Sequence, residues 1–537
     1  VKRRFFVYLL LFYCFSLFSQ EKPEWKNFEN KKAIIKKIVI KVNNVFDLSK
    51  KDENNFIGKI ANFIHITTKE SVIRNLLLFK EGDVADARGI YESERLLRDQ
   101  EWIRDAEITP LIDENGDLCA NVWVHDAWSL KGGLKFGTAG GESTSRIRAK
   151  EVNLLGFGKT LTLGYEKNPE RNIGQIEYID PSLFGSRWQL YSDYQKLSDG
   201  FLKELRIELP FYQLKTPWAM GVKGSREKIN VDLYNDSHLA YIVPSVKDEV
   251  KIYFQKAFVV KENYAFRSGI ELWSLQDNYD NPFDVRPNIM SKPFIENHRF
   301  RGIMLYFGYY EDKFETYQNI ITTASYEDYN LGFEMDFHIG AFSKNFGGET
   351  NALYFDADIK KGFAPADDWL ILTELKAETR REKGSCKNSM FNFKIDFYNT
   401  SFKNHTLAAS IEAFIGSKLD FENLIYIGGT DGLRGYTNHL RIGDRKWQVS
   451  AEDRIFTSKR LWGVVQWGFV AFFDAGAVRK PGGVGWSKTY ADVGAGLRLG
   501  NLKSSFGKNI LFTIAVPLVK EPGMDSYQIV AGNYIRF

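Results

Sequence analysis

Along the last hundred residues, apolar and polar side chains alternate with a period of two. From Val464 to Gly476, Val465, Trp467, Phe469, Ala471, Phe473 and Ala475 share one face, and Gln466, Gly468, Val470, Phe472, Asp474 and Gly476 share the other. From Tyr490 to Leu499, Ala491, Val493, Ala495, Leu497 and Leu499 alternate with Asp492, Gly494, Gly496 and Arg498. From Trp447 to Phe456 one face collects Gln448, Ser450, Glu452 and Arg454. Successive side chains of a strand point to opposite faces, so each segment predicts a strand with one apolar and one polar side. A soluble sandwich strand alternates too. Five such segments in series, each with an apolar face nearly free of charge, predict a membrane barrel instead. In the last of them Tyr527, Ile529, Ala531, Ile535 and Phe537 make the outward row, interrupted by Asn533.

The first hundred residues read differently. Residues 21–30 are charged and predict a flexible lead. An alternating strand follows with Ile38, Ile40 and Val42, then a loop. Thr67-x-x-Glu70 has the form of a capping box, in which the first side chain bonds an orphan amide of a helix start. It predicts a helix with Val72, Ile73, Leu76 and Leu77 on one side, broken at Glu81-Gly82-Asp83. A second helix covers about Asp86 to Gln100, with Ile90, Leu96 and Leu97 as its apolar contacts. Two strands, Trp102 to Ile112 and Leu118 to Val124, are joined at Asp113-Glu114-Asn115-Gly116-Asp117, where Asn-Gly suits a hairpin turn. Leu118, Ala120, Val122 and Val124 make the buried face. The order is β-α-α-β-β.

Composition narrows the picture. A chain of 537 residues suggests a large unit and a smaller one. Its mean hydropathy is −0.32, and outside the N-terminus no apolar run approaches the ~20 residues of a spanning helix. A polar average with 15% aromatics fits a barrel with a wet lumen and aromatic girdles. The net charge of +4 is small and spread out, which gives nucleic-acid binding no support. Lys2, Arg3 and Arg4, the apolar run from Phe5 to Phe18, and Ser19-Gln20 read as a signal peptide over residues 1–20. The run is too short for a membrane anchor, and Tyr13 is too bulky for a lipoprotein site at Cys14. Cys119 and Cys386 then remain, assigned to different domains as lone thiols rather than a disulfide.

No chemistry of catalysis is legible. The seven histidines are scattered, without the spacing that holds zinc. Gly156-Phe157-Gly158-Lys159-Thr160 resembles the end of a phosphate loop, but Asn153 stands where its first glycine belongs. Gly141-Glu142-Ser143-Thr144-Ser145 has Ser145 in place of the last glycine of a nucleophile elbow. The chain is read as no enzyme, with no cofactor and no metal.

Three stretches carry a resemblance: Leu76-Leu77-Leu78-Phe79-Lys80-Glu81-Gly82-Asp83, Tyr91-Glu92-Ser93-Glu94-Arg95-Leu96-Leu97-Arg98 and Val122-Trp123-Val124-His125-Asp126-Ala127-Trp128. The segment is similar to a POTRA domain, the periplasmic module of BamA/TamA-type surface-antigen barrels and of two-partner secretion transporters. The resemblance implies one POTRA domain over residues 31–127 and an outer-membrane antiparallel barrel over 128–537. The family's barrel has about sixteen strands. The alternating segments themselves number about twenty, with residues 228–262 and 350–415 ambiguous. Asn153 to Gly158 and Asp180 to Gly185 are read as short periplasmic turns, and Asp277 to Asn297 as an outer loop.

The resemblance also gives meaning to Gly428-Gly429-Thr430-Asp431-Gly432-Leu433-Arg434-Gly435-Tyr436. In the family such an Arg-Gly-Tyr tip enters the barrel, where the arginine meets acidic residues. Phe472-Phe473-Asp474-Ala475-Gly476 matches the family's Phe-x-Asp-x-Gly, and the alternation independently puts Glu452 and Asp474 on the lumen side. Arg434, Gly435, Tyr436, Glu452 and Asp474 are therefore the candidate loop lock; the alternative is a surface loop with a solvated Arg434. The implied function is insertion, assembly or translocation of polypeptides at the outer membrane. Extended clients would pair along Ile38, Val39, Ile40, Lys41 and Val42. The expected partners are outer-membrane lipid, unfolded or extended polypeptides and periplasmic accessory proteins. The alternative is a passive pore or a structural surface antigen.

Overall fold

A computed structural model describes residues 23–46, 48–49, 54, 56–212, 214–261, 263–287, 290–321, 326–461, 465–483, 485–501 and 509–532. The expected signal segment and the last five residues, with Asn533, Ile535 and Phe537, lie outside these. The chain divides into two compact units, Val1–Leu130 with Glu151–Thr160 and Phe184–Ser186, and the remainder through Phe537.

The first unit contains α1 (Pro23–Asn30), β1 (Lys37–Asn43), α2 (Phe56–Ile64), α3 (Glu70–Leu76), α4 (Ala87–Arg98), β2 (Ile103–Ile112) and β3 (Leu118–Asp126). Its sheet has the order β1-β3-β2, with β1 parallel and β2 antiparallel to the centre. Leu118, Ala120, Val122 and Val124 are buried against Ile73, Ile90, Leu97 and Ile108. Asp86 caps α4 by accepting the Arg88 amide at 3.1 Å.

Three readings of this region are corrected. Residues 23–30 are helix α1, not a flexible lead: Trp25 and Phe28 sit three apart, and Trp25 is fully buried with its Nε1–H donated to Ile108 O at 3.0 Å. Helix α2 stands where a loop was expected. Its Asn62 brackets Phe46, accepting the amide at 3.0 Å and donating to the carbonyl at 2.8 Å. The capping box does not form; α3 starts at Glu70 behind Lys69, without a side-chain cap. Just before it, Thr68 gives both its amide and its hydroxyl to buried Asp126, each at 2.8 Å, and that pair fixes the chain's approach.

The second unit is a closed barrel of twenty main strands with one two-residue strand, Phe283–Asp284, in place of the sixteen implied by the resemblance. It opens with β4 (Leu130–Ala139) and β5 (Glu142–Glu151) and closes where Gln528–Gly532 pairs back onto β4 through Ala531↔Thr138 and Gly532↔Gly137. The ambiguous stretches are strands. Residues 350–415 hold Ala352–Phe363, Trp369–Glu382, Ser385–Asn399 and most of His405–Ser417. Very short turns leave sequence for them. Trp218–Asn235 turns into His238–Val260 on Asp236 and Ser237, both left-handed at φ 52° and 62°. That is the hairpin turn matching strand twist, here without the glycine that advertises it.

Outward rows are apolar: Val250, Ile252 and Phe254 on one strand, Phe469 and Phe473 on another, and Phe512 and Ile514 near the end, all exposed. On the opposite face Arg454, Asp474, Asp492 and Arg498 are buried. This is the inside-out pattern of a barrel in lipid. Among the described residues no helix is long and apolar enough to cross a membrane.

Candidate functional site

The lock residues come together on a loop with its own small core. Between His405–Ser417 and Arg445–Leu461, the strands Ile425–Ile427 and Arg441–Gly443 pair as a separate ribbon that carries residues 428–440. Ile427, Leu433, Tyr436, Leu440, Val478 and Tyr490 pack together. The Leu433 amide reaches back to Gly428 O at 2.9 Å and the Tyr436 amide to Leu433 O at 3.1 Å, which makes the tip compact. Gly432 takes φ +134°, open to glycine and strained for other residues. At Gly435 a Cβ would stand 2.6 Å from that of Asp492, so the close approach requires glycine there.

This tip presents Arg434 to two strands. Its Nε donates to Asp474 Oδ2 at 2.8 Å and its Nη2 to Asp474 Oδ1 at 2.9 Å, a two-pronged contact. Its Nη1 donates to Glu452 Oε1 at 2.5 Å. Arg434 is 3% exposed, Asp474 0% and Glu452 7%, so the group is shielded from solvent. Burial by itself would push the guanidinium's pKa down; Asp474 first and Glu452 next more than reverse this, and it stands above its ordinary value. Charge-assisted, bidentate pairing of this kind fixes orientation as well as charge. Tyr436 extends the anchorage, donating its hydroxyl toward Ala491 O and Val519 O at 2.8 and 2.9 Å.

Four participants were not singled out from sequence. Ser450 donates to Asp474 Oδ1 at 2.5 Å, and the Phe472 ring lies 3.5 Å from the Arg434 guanidinium carbon. Both stand two positions from a named carboxylate on the same inward row, so the alternation held the signal. Arg454 gives its Nε–H to Glu452 Oε2 at 2.8 Å. Asn438 has no such signal: its Nδ2 donates to Glu142 Oε2 at 2.5 Å and to Ala139 O at 3.3 Å, joining the loop to the β4–β5 turn.

All of the lock residues lie within 384–533, and these residues match the Omp85 superfamily domain. Over that part the chain is similar to the Omp85 superfamily. No curated protein matches it. Among solved structures it overlaps BamA from Haemophilus ducreyi lacking POTRA domains 1-3, with 13% identity, 93% of this chain and 84% of that one covered, and a TM-score of 0.44. CdiB from Acinetobacter baumannii gives 13%, 94%, 73% and 0.42 in the same order. OpdQ from Pseudomonas aeruginosa gives 10%, 75%, 95% and 0.31. At such values none of the three bears on activity.

The other residues singled out from sequence lie elsewhere. Ile38, Val39, Ile40, Lys41 and Val42 form β1, an outer strand of its sheet. At Ile38 the edge is engaged from within: the amide donates to Glu81 Oε1 at 3.0 Å, and Arg74 Nη2 reaches the carbonyl at 3.4 Å. Accepting that amide holds the exposed Glu81 carboxyl below its ordinary pKa, with desolvation acting against it and Arg74 adding to it. Tyr527 and Ile529 are 57% and 52% exposed, with Gln528 and Val530 buried between and after them, and Ala531 is half-buried. Among the described residues no group of three His, Cys, Asp or Glu side chains could hold a metal ion. Cys119 and Cys386 are free thiols.

Proposed function

We propose that this protein inserts, assembles or translocates other polypeptides at the outer membrane. In this reading residues 31–127 are a periplasmic POTRA-type module that captures extended clients along β1. The barrel supplies the membrane site where β4 meets Gln528–Gly532, and periplasmic accessory proteins deliver the clients. The observation that carries this is the anchorage of the 428–440 loop. It binds Asp474 and Glu452 through Arg434, Ala491 and Val519 through Tyr436, and the β4–β5 turn through Asn438. One loop thereby ties the first hairpin to the last strands. A passive pore has no use for that brace; a lateral site that opens and recloses does.

Depletion followed by outer-membrane proteomics tests the reading. Loss of many other barrels is expected for assembly, and loss of one exported protein for dedicated secretion; an unchanged proteome supports the passive pore. Complementation with Val42→Pro refines it, since Val42 lies four positions on from Ile38 and turns its amide to the same open edge of β1. An unpaired sheet edge offers backbone donors and acceptors to an extended chain, and proline removes a donor. The variant should accumulate normally yet restore client levels poorly. Full restoration would remove β1 as the client edge.

The last strand is proposed to carry the chain's own insertion signal, through Tyr527, Ile529, Ala531, Ile535 and Phe537. Deleting Phe537 should lower the heat-modifiable form in the outer membrane by about 3–10 times, as the proposed signal loses its final aromatic residue. Wild-type amounts after the deletion would sink this assignment.

A further inference from the structure

A second inward-folded element lies at the opposite end of the barrel. Strands Phe314–Gln318 and Tyr326–Asn330 pair only with each other, in a ribbon between the barrel strands His298–Glu311 and Phe333–Phe342. From that ribbon to the 428–440 loop the chain crosses the barrel along Phe333–Phe342, Ala352–Phe363, Trp369–Glu382, Ser385–Asn399 and His405–Ser417. The number of crossings is odd, so the two elements enter from opposite ends.

The ribbon is seated rather than free. Ile320 and Leu331 are 0% and 1% exposed, packed with Tyr317 against Leu370, Tyr398 and Ala408. Neighbouring Trp369 and Leu407 are exposed on the outer surface, so Leu370 and Ala408 face the lumen. Three successive carbonyls are held by three barrel strands. Asn319 O accepts from Thr406 Oγ1 at 3.1 Å, Ile320 O from Arg454 Nη1 at 2.5 Å, and Ile321 O from Arg498 Nη2. All three donors are buried, and two are arginines whose charge a lumen filled only with water would solvate freely. Arg454 also holds Glu452, the carboxylate that Arg434 grips from the other side.

We propose that the ribbon of Phe314–Gln318 and Tyr326–Asn330, with the adjoining Asn319, Ile320, Ile321 and Leu331, is an internal gate that closes the lumen, coupled to the outer loop through Arg454 and Glu452. The scale of the barrel gives the gate a purpose: barrels of about 16–18 strands already enclose an aqueous channel, and those of 22 carry a plug. A twenty-strand lumen without a filler would leak. Glu452 is shared, so withdrawing Arg434 leaves it to Arg454 alone and shifts the charge balance beneath the ribbon. Loop release and gate release are thereby linked.

Conductance of the purified full-length protein in planar lipid bilayers tests the gate without any client, so its failure is separate from failure of the translocation reading. Replacing residues 313–331 with a short Gly-Ser turn should raise the unit conductance by roughly ten-fold or more, as expected when a lumen of this width is cleared. Ile320→Asp, which sets a carboxylate in the apolar seat, should raise it too and covers failure of the deletion to fold. Arg434→Ala should make the ribbon more accessible to protease added from the side where β4 begins. Wild-type conductance in either ribbon variant, with the barrel folded by heat-modifiability, overturns the gate. Unchanged protection of the ribbon in Arg434→Ala overturns the coupling.

Discussion

Arg434→Ala is expected to release the loop while leaving the barrel in the membrane. The substitution strips a bidentate partner from Asp474 and a second cation from Glu452, with the two carboxylates 0% and 7% exposed. Breaking one partner out of a fully buried charge group costs about 3–5 kcal/mol, because the remaining charge stays desolvated. Arg454 still serves Glu452, which brings the expectation toward the lower figure. Loss of the Phe472 contact adds about 0.5–2 kcal/mol. A bias of 3 kcal/mol moves a two-state loop by more than two orders of magnitude in its equilibrium, since each ~1.4 kcal/mol is ten-fold. Arg434→Lys should recover only part, keeping the charge without the planar fork that spans both Asp474 oxygens. A reporter thiol at Leu433, with Cys119 and Cys386 changed to serine, reads this directly. It should resist a membrane-impermeant maleimide when Arg434 is present and react readily in Arg434→Ala. Equal labelling in both backgrounds would sink the lock.

Period-two alternation made the barrel's C-terminal strands legible, because lipid and lumen demand opposite chemistries of neighbouring residues. The same rule put Glu452 and Asp474 on one side before any geometry was known, and it also contained Ser450 and Phe472. The strand number was harder. The resemblance implied sixteen, yet turns such as Asp236-Ser237 and Lys383-Gly384 occupy only two residues and lack the Asn-Gly signature. Strands up to 23 residues long then merge with their neighbours in the sequence pattern. Asn438 was invisible for another reason. Its partners on β4 and β5 are nearly 300 positions away, and a single asparagine in a glycine-rich loop carries no period. The ribbon of Phe314–Gln318 and Tyr326–Asn330 also eluded the pattern, since its polar anchorage runs through the carbonyls of Asn319, Ile320 and Ile321, which every residue possesses.

Helix α1 shows how a charged composition can conceal a core residue, and Trp25→Ala measures what it contributes. Residues 23–30 contain two acidic and one basic residue around Trp25 and Phe28, so their average polarity suggested a flexible lead. The indole is nevertheless fully buried and donates to Ile108 O at 3.0 Å, a contact spanning 83 positions of sequence. Truncating a buried tryptophan typically costs about 3–5 kcal/mol. Small domains have only about 5–15 kcal/mol in total, so the first unit should become marginal. In the full-length protein, amide exchange at β2 around Ile108 and at α4 around Ile90 and Leu97 should accelerate by about two to three orders of magnitude. Exchange at the Arg434 site should not change. Trp25→Phe keeps most of the ring volume and loses only the N–H donor, so its effect should be about 1 kcal/mol. Wild-type protection of β2 and α4 in Trp25→Ala would show that α1 rests on the domain without supporting it, and the lead would then be dispensable, as its composition first suggested.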